Sequence, residues 1–400
     1  MFREELKKIW NLRSVVIFAI LGIFFWVIWM SYNVQYFPNG AENRVMFQKQ
    51  AEWVEKYGTT LEDNEINEIR AALPELYAQI EGTFEGEPLF QKYGITTYLE
   101  FKNFVEQSWE DEELSEDANV MQEYLKGDKE DGAYWEVYAI EESLRFVDEY
   151  QTAGEHFFDY LLGEEKYMER EYHNIVHIAI EEEGWRNILF YEVPQATTNY
   201  WNALMSLGML AVCILTAPLL VRERMNRMRS LQWSSKQGRS VIWKQFGAVV
   251  LSAVIILTVY LVIFGAIFAT NKTWLFWDCR MYSFDTMIGC WGNWTYGTYC
   301  MVLVGIYYLV GIASCGLAFL ISYVSSNYVS MLLKLIPVLV VLLLGCSNFA
   351  FEAFYYWNQL YCLTRIPYIE AIAPAVLFLA AMGVVSVVCR RQKKAELLVE

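Results

Sequence analysis

The chain reads as an all-α polytopic membrane protein: six transmembrane helices, with a mostly helical extracytoplasmic domain inserted between spans 1 and 2. Three observations predict this. Six strongly apolar runs occur, most of them near the 20 or so helical residues that a hydrocarbon core requires. Charge is sharply partitioned: residues 33–198 hold 38 of the 47 acids and 12 of the 31 bases, a net of −26, whereas the rest nets +10. Within 33–198 the apolar residues recur at helical spacing, and strand-like alternation is weak. The overall net charge of −16 therefore describes neither part.

Residues 1–13 (MFREELKKIWNLR) place Phe2, Leu6, Ile9 and Trp10 near helical spacing, with Lys7, Lys8 and Arg13 opposite. This predicts an amphipathic helix lying in the cytoplasmic headgroup layer. Residues 14–32 are apolar and uncharged, and the Met30-Ser-Tyr-Asn exit lacks a small-x-small cleavage site, so the segment is expected as a retained first span.

In the acidic insertion, 33–198, Tyr98, Phe101, Val105 and Trp109 form one helical stripe. Trp135, Tyr138, Ala139, Phe146, Val147 and Tyr150 form a longer one. The acidic run 110–117 is expected as a solvated stretch between helices. Residues 199–221 are the second span, entered through Tyr200 and Trp201 as an interfacial belt and carrying Pro218 near its far end. Residues 245–270 are the third. The Trp-rich loop 271–296 is expected at headgroup level. Residues 297–323 are the fourth span, 331–344 the core of the fifth with Pro337 inside it, and 369–389 the sixth. Arg390-Arg-Gln-Lys-Lys394 follows, so the domain 199–390 is closed by a cytoplasmic tail, 391–400.

The loop 222–244 carries seven Lys/Arg against the single acid Glu223. Short cytoplasmic loops collect positive charge, so this loop and both termini are expected inside and 33–198 outside. Residues 222–231 can run as a short helix, with Ser234-Ser-Lys-Gln-Gly238 supplying turn-forming residues. Two readings stand for the loop: a topogenic anchor, or a docking element.

Glu223, the basic short helix, then Leu231-x-x-Ser-Ser-Lys-x-Gly-Arg239 and Lys244 at the next span resemble the type-2 ATP-binding-cassette (ABC) exporter permeases. The resemblance covers the N-terminus and about residues 199–394, and says little of 33–198. It implies that 222–238 is a coupling helix docking on a separate ATPase subunit, with Glu223, Arg224, Arg227, Arg229, Ser234, Ser235, Lys236, Gly238 and Arg239 as the coupling residues. It further implies that the N-terminal helix also touches that ATPase, and that 346–368 is a short helical hairpin dipping into the outer leaflet. ATP and Mg²⁺ would sit on the partner. A second permease copy or a related chain would complete the pathway in a bacterial cytoplasmic membrane.

No G-x-x-x-x-G-K-[ST] loop occurs, so no phosphate-cradling motif is present and no cofactor is expected in this chain. The spans hold almost no ionisable residue at depth, where ion-coupled transporters need one. Lys334 lies near enough to the inner face to snorkel. His173 and His177 lie i, i+4 on a predicted helix flanked by Glu169 and Glu181. They are weak metal candidates, because Asn174 stands where a metallopeptidase's general base would be. Cys279, Cys290, Cys346 and Cys362 are expected outside, where Cys279–Cys290 or Cys346–Cys362 disulfides could staple one loop each, free thiols being the competing reading. No catalytic constellation emerges, and the acidic domain would repel nucleic acid.

Two function classes follow. One is the permease subunit of an ATP-driven exporter for a peptide, lipid or drug. The other is a membrane-anchored sensor or binding protein whose extracellular domain captures a peptide or protein partner. Excess carboxylates on that domain favour a cationic partner.

Overall fold

The computed structural model describes residues 2–109, 111–127, 132–154, 181–228, 241–283, 293–347 and 359–394. Among them no strand ladder forms, only two isolated bridges. Six helices are long and apolar enough to cross a bilayer: Leu12–Met30, Glu192–Met225, Val241–Asn271, Tyr296–Val324, Tyr328–Cys346 and Ile369–Gln392. The chain is an all-α polytopic membrane protein. It divides into two compact units. One comprises Met1–Gln35, Gln195–Lys272 and Gly297–Glu400, and the other comprises Tyr36–Pro194 with Thr273–Tyr296.

The membrane unit begins with α1 (Phe2–Ile9) and α2 (Leu12–Phe25), which continues as a π-helical turn, Trp26–Met30. The expected helix over 1–13 is thus divided. Asn11 is extended and its side chain accepts the Ser14 amide at 3.0 Å, which starts a new helix two residues before the expected span.

The inserted unit holds α3 (Ala41–Tyr57), α4 (Asp63–Arg70), α5 (Leu73–Glu81), α6 (Pro88–Tyr93), α7 (Tyr98–Ser108), α8 (Glu112–Lys126) and α9 (Ala133–Ala153). Capping explains several boundaries. Thr97 and Glu100 make a reciprocal capping box at the start of α7. Gly94, with φ +68°, ends α6 in the left-handed conformation that glycine adopts without strain. The acidic run also departs from expectation. Its Asp111 side chain accepts the amides of Glu113 (3.0 Å) and Leu114 (3.3 Å), and Glu112 and Glu113 occupy the first turn of α8. Carboxylates there complement the helix dipole.

The core of this unit gathers Ile80, Phe84, Phe90, Tyr98, Phe101, Met121 and Val137, with Phe84 and Phe90 stacked at 4.1 Å. Of the expected stripes, Trp135, Ala139 and Val147 are buried, but Trp109 and Tyr138 face outward. The tryptophan-rich loop has a partner that its composition did not indicate. Thr273–Tyr296 packs into the inserted unit, where fully buried Phe276 meets Phe47 at 5.5 Å between ring centres. The amide of Met281 donates to the Trp294 carbonyl, and that of Tyr296 to the Cys279 carbonyl, both at 2.9 Å.

The membrane unit resumes with α10 (Glu192–Thr216), α11 (Pro218–Met225), α12 (Val241–Phe268), α13 (Tyr296–Val324), α14 (Tyr328–Cys346), α15 (Gln359–Thr364) and α16 (Ile369–Lys394). The break between α10 and α11 falls at Pro218, which lacks an N–H and crowds the preceding turn. The amides of Leu220 and Val221 donate to Ser322 Oγ on α13, at 3.1 and 3.3 Å, so the kink leaves them satisfied. Tyr200 and Trp201, expected at the interface, are instead buried. The Tyr200 hydroxyl donates to the Phe264 carbonyl at 2.8 Å and fastens α10 to α12. Leu257 sits between Gly208 of α10 and Gly311 of α13, in notches that no Cβ fills. Lys334 donates to the Val324 carbonyl at 3.1 Å. Of the hairpin expected over 346–368, residues 348–358 lie outside the described residues, and the described part holds the short helix α15.

Candidate functional site

The basic end of the membrane unit carries the residues singled out for coupling. Of these, Glu223, Arg224 and Arg227 are described, while Arg229, Ser234, Ser235, Lys236, Gly238 and Arg239 lie outside the described residues. Of the short helix expected over 222–231, residues 229–231 lie outside the described residues, and the described part is interrupted by a turn at Asn226 and Arg227. Residues 222–225 belong to α11 as a continuation of the second span, and the helix stops at Asn226. Arg227 follows with φ +55°, an αL residue just past the helix end, a common way for a helix to terminate.

Glu223 is buried, at 5 % exposure, although it lies in the most basic loop of the chain. Its Oε1 accepts from Lys8 Nζ at 2.9 Å, and its Oε2 accepts from Gln245 Nε2 at 2.7 Å. Lys8 also donates to Glu5 Oε1 at 2.8 Å, and Arg222 Nη2 reaches the Lys8 carbonyl at 3.4 Å. One carboxylate thus joins three elements: α1 through Lys8, α11 through its own backbone, and α12 through Gln245. Burial works against the Lys8 ammonium. The hydrogen bonds to Glu5 and Glu223, with the attraction of both carboxylates, outweigh it and hold the Lys8 pKa above the ordinary lysine value.

Glu5 is buried at 4 % exposure, and its Oε2 has no hydrogen-bond partner among the described residues. A buried carboxylate oxygen without a donor is costly, so this cluster is held by packing as well as by charge. The packing is present: α1 lies along α12, Ile9 is buried, and the Trp10 indole donates to Ser252 Oγ at 3.0 Å. Trp10 also meets Phe18 edge-on at 6.2 Å, closing the corner between α1 and α2.

Arg224 is committed inward too. Its guanidinium donates to the carbonyls of Tyr323 and Ser325, where α13 ends. A helix C-terminus leaves carbonyls without intrahelical donors, and a cation there meets both the hydrogen-bond and the dipole requirement. Arg224 therefore caps α13 rather than presenting a free basic face. Glu5, Lys8, Gln245, Tyr323 and Ser325 were not flagged as site residues from sequence. Lys8 lay on the face expected to meet headgroups, and nothing local pairs it with a glutamate 215 positions away.

The other candidate sites resolve as follows. Cys279 and Cys346 are buried free thiols, so the expected disulfides are not formed at these two residues. Cys346 Sγ instead donates to Met209 Sδ at 3.7 Å. Burial pushes the Cys279 thiol up to about 12. Cys290 and the Cys362 side chain lie outside the described residues, as do His173 and His177. No group of metal-ligating side chains gathers among the described residues. No protein-family model, curated protein or solved structure matches the chain.

Proposed function

We propose that the chain is the membrane-spanning permease subunit of an ATP-driven ABC exporter, moving an amphipathic or hydrophobic substrate such as a peptide, lipid or drug. The observation that carries this reading is Glu223, a buried carboxylate in a basic loop that ties α1, α11 and α12 into one latch. In this reading the latch makes the N-terminal helix and the ends of spans 2 and 3 move as one body. A push on 226–240 by a separate ATPase, driven by ATP and Mg²⁺ held there, tilts those spans. Arg224 belongs to the transmitting side, because it locks α11 onto the end of α13. The face that meets the ATPase is then Arg227 with Arg229, Lys236 and Arg239, and both termini and this loop face the cytosol. A second permease copy or a related chain completes the path.

The experiment is photocrosslinking from position 235 in native membranes, with the captured chain identified by mass spectrometry. The expected partner is an ABC ATPase, and Arg229→Glu with Lys236→Glu should abolish the crosslink. Capture of no ATPase would overturn the reading. It would favour the second one, a membrane-anchored sensor or binding protein, to which the aromatic cleft of the inserted unit lends support.

A further inference from the structure

Within the inserted unit a cleft of about 600 Å³ opens between α7 and α9, floored by α5. That volume lies in the range of sites that enclose a drug-sized group or a few side chains. Its walls are aromatic, with Tyr77, Tyr98, Phe101, Trp109, Tyr134 and Tyr138 all contributing. Tyr98 and Phe101 belong to the core and hold the wall rigid, whereas Trp109 is 79 % exposed at the rim.

The charges in the cleft are largely used by one another. Lys102 donates to Glu141 Oε2 at 2.9 Å, and the Tyr77 hydroxyl donates to Oε1 of the same carboxylate at 2.7 Å. Arg70 pairs with Asp148, and Arg145 pairs with Glu142 at 2.9 Å and Glu149 at 3.0 Å. These pairs satisfy all three cations of the lining. Glu106, three residues before the Trp109 that follows the end of α7, has no cation or hydrogen-bond donor among the described residues. Five carboxylates against three cations leave the cleft negative, and the surrounding segment, 33–198, carries a net of −26.

We propose that this cleft binds a cationic amphipathic peptide, seating an aromatic or aliphatic side chain among Tyr98, Tyr134 and Tyr138 and a lysine or arginine between Glu106 and the Trp109 ring. Each part has a physical reason. A preformed aromatic wall gives apolar contact area at little entropic cost, and an ammonium over an indole gains a cation–π attraction that partial burial strengthens. A peptide suits the site better than a small cation, because only a ligand with several charges draws on the acidic surface beyond the cleft. The inference goes beyond the transport reading and does not depend on it.

The test uses the full-length protein in nanodiscs and three synthetic 12-residue probes: alternating Lys/Trp, Glu/Trp and Lys/Ser. Calorimetry should show binding of the Lys/Trp peptide and at least about tenfold weaker binding of the other two. Glu106→Gln and Trp109→Ala are exposed substitutions, and each should weaken Lys/Trp binding about three- to tenfold with unchanged helical content. Absence of Lys/Trp binding would overturn the proposal. So would equal binding of Lys/Ser, which marks mere polyanion attraction, or indifference to both substitutions. A benzyl-trimethylammonium probe binding as tightly as the peptide would overturn the peptide assignment.

Discussion

Replacing Glu223 by alanine should loosen the N-terminal helix without unfolding the membrane unit. The substitution removes two interactions. Gln245 is 3 % exposed and loses the acceptor 2.7 Å from its Nε2, leaving a buried amide unsatisfied at a cost of about 1–3 kcal/mol. Lys8 loses one of two carboxylates, but it keeps Glu5 at 2.8 Å and its side chain is 29 % exposed, so this loss is limited to roughly 1 kcal/mol or less. Together α1 should be less firmly docked by about 2–3 kcal/mol, a factor of roughly 30–150 in opening equilibrium. Hydrogen exchange of the amides in Phe2–Ile9, measured on the full chain in nanodiscs, reads that equilibrium. Glu4→Ala is the control, since the Glu4–Lys7 pair is 61 % exposed on both sides and should matter little. Lys8→Met should cost less in the Glu223→Ala background than alone, because the two share one interaction. The folded-state pKa of Lys8 lies above its ordinary 10.5, so its contribution is complete below that pH and lost as pH rises through the folded value. Protection of α1 unchanged within threefold in Glu223→Ala would show that the latch is not what holds the helix.

Gly311→Ala should destabilise by about 1–3 kcal/mol, because the added methyl would lie 2.6 Å from Leu257 Cδ1 while Gly208 confines the same leucine from the other side. Gly305→Ala, on the same helix and facing open space, should leave the melting temperature unchanged. Residues 36–194 expressed alone should be markedly less stable to urea than the same segment linked to 273–296. Deleting Phe276 uncovers Phe47 and leaves a vacancy of the kind that costs about 3–5 kcal/mol. Cys279 should resist maleimide in the folded protein and react after denaturation, since its thiol, pushed up to about 12, ionises only in strongly alkaline solution. Reaction at neutral pH in the native state would contradict its burial.

What the sequence disclosed was whatever a local pattern can carry. The six spans were legible because a bilayer demands uninterrupted apolar helix, and no other arrangement of 245–270 or 297–323 would satisfy its backbone. The helical insertion was legible because Tyr98 and Phe101, or Trp135 and Ala139, recur at the period of a helix face. Some local signals were present but outweighed. Asn11, directly before an apolar run, is a helix-start residue, yet the amphipathic stripe running from Phe2 to Trp10 suggested one helix where there are two. Asp111 carried a similar cap signal inside a run so acidic that solvation was the simpler expectation.

The rest was set by partners far away in the chain. Four tryptophans gave the loop 271–296 the composition of an interfacial segment, but its packing into the inserted unit runs through Phe276, an unremarkable residue among them, which fits against Phe47. The basic loop shows the same limit where function is concerned. Counting seven cations around Glu223 suggested an outward-facing surface. Such a count cannot distinguish an arginine that caps a neighbouring helix, as Arg224 does, from one left for another protein. The distinction changes what a charge reversal means. Arg224→Glu would set a carboxylate against the Tyr323 and Ser325 carbonyls and weaken the fold of this chain by itself. Loss of coupling in that variant would therefore say nothing about an ATPase, and reversals at Arg229 and Lys236 are the ones that test docking.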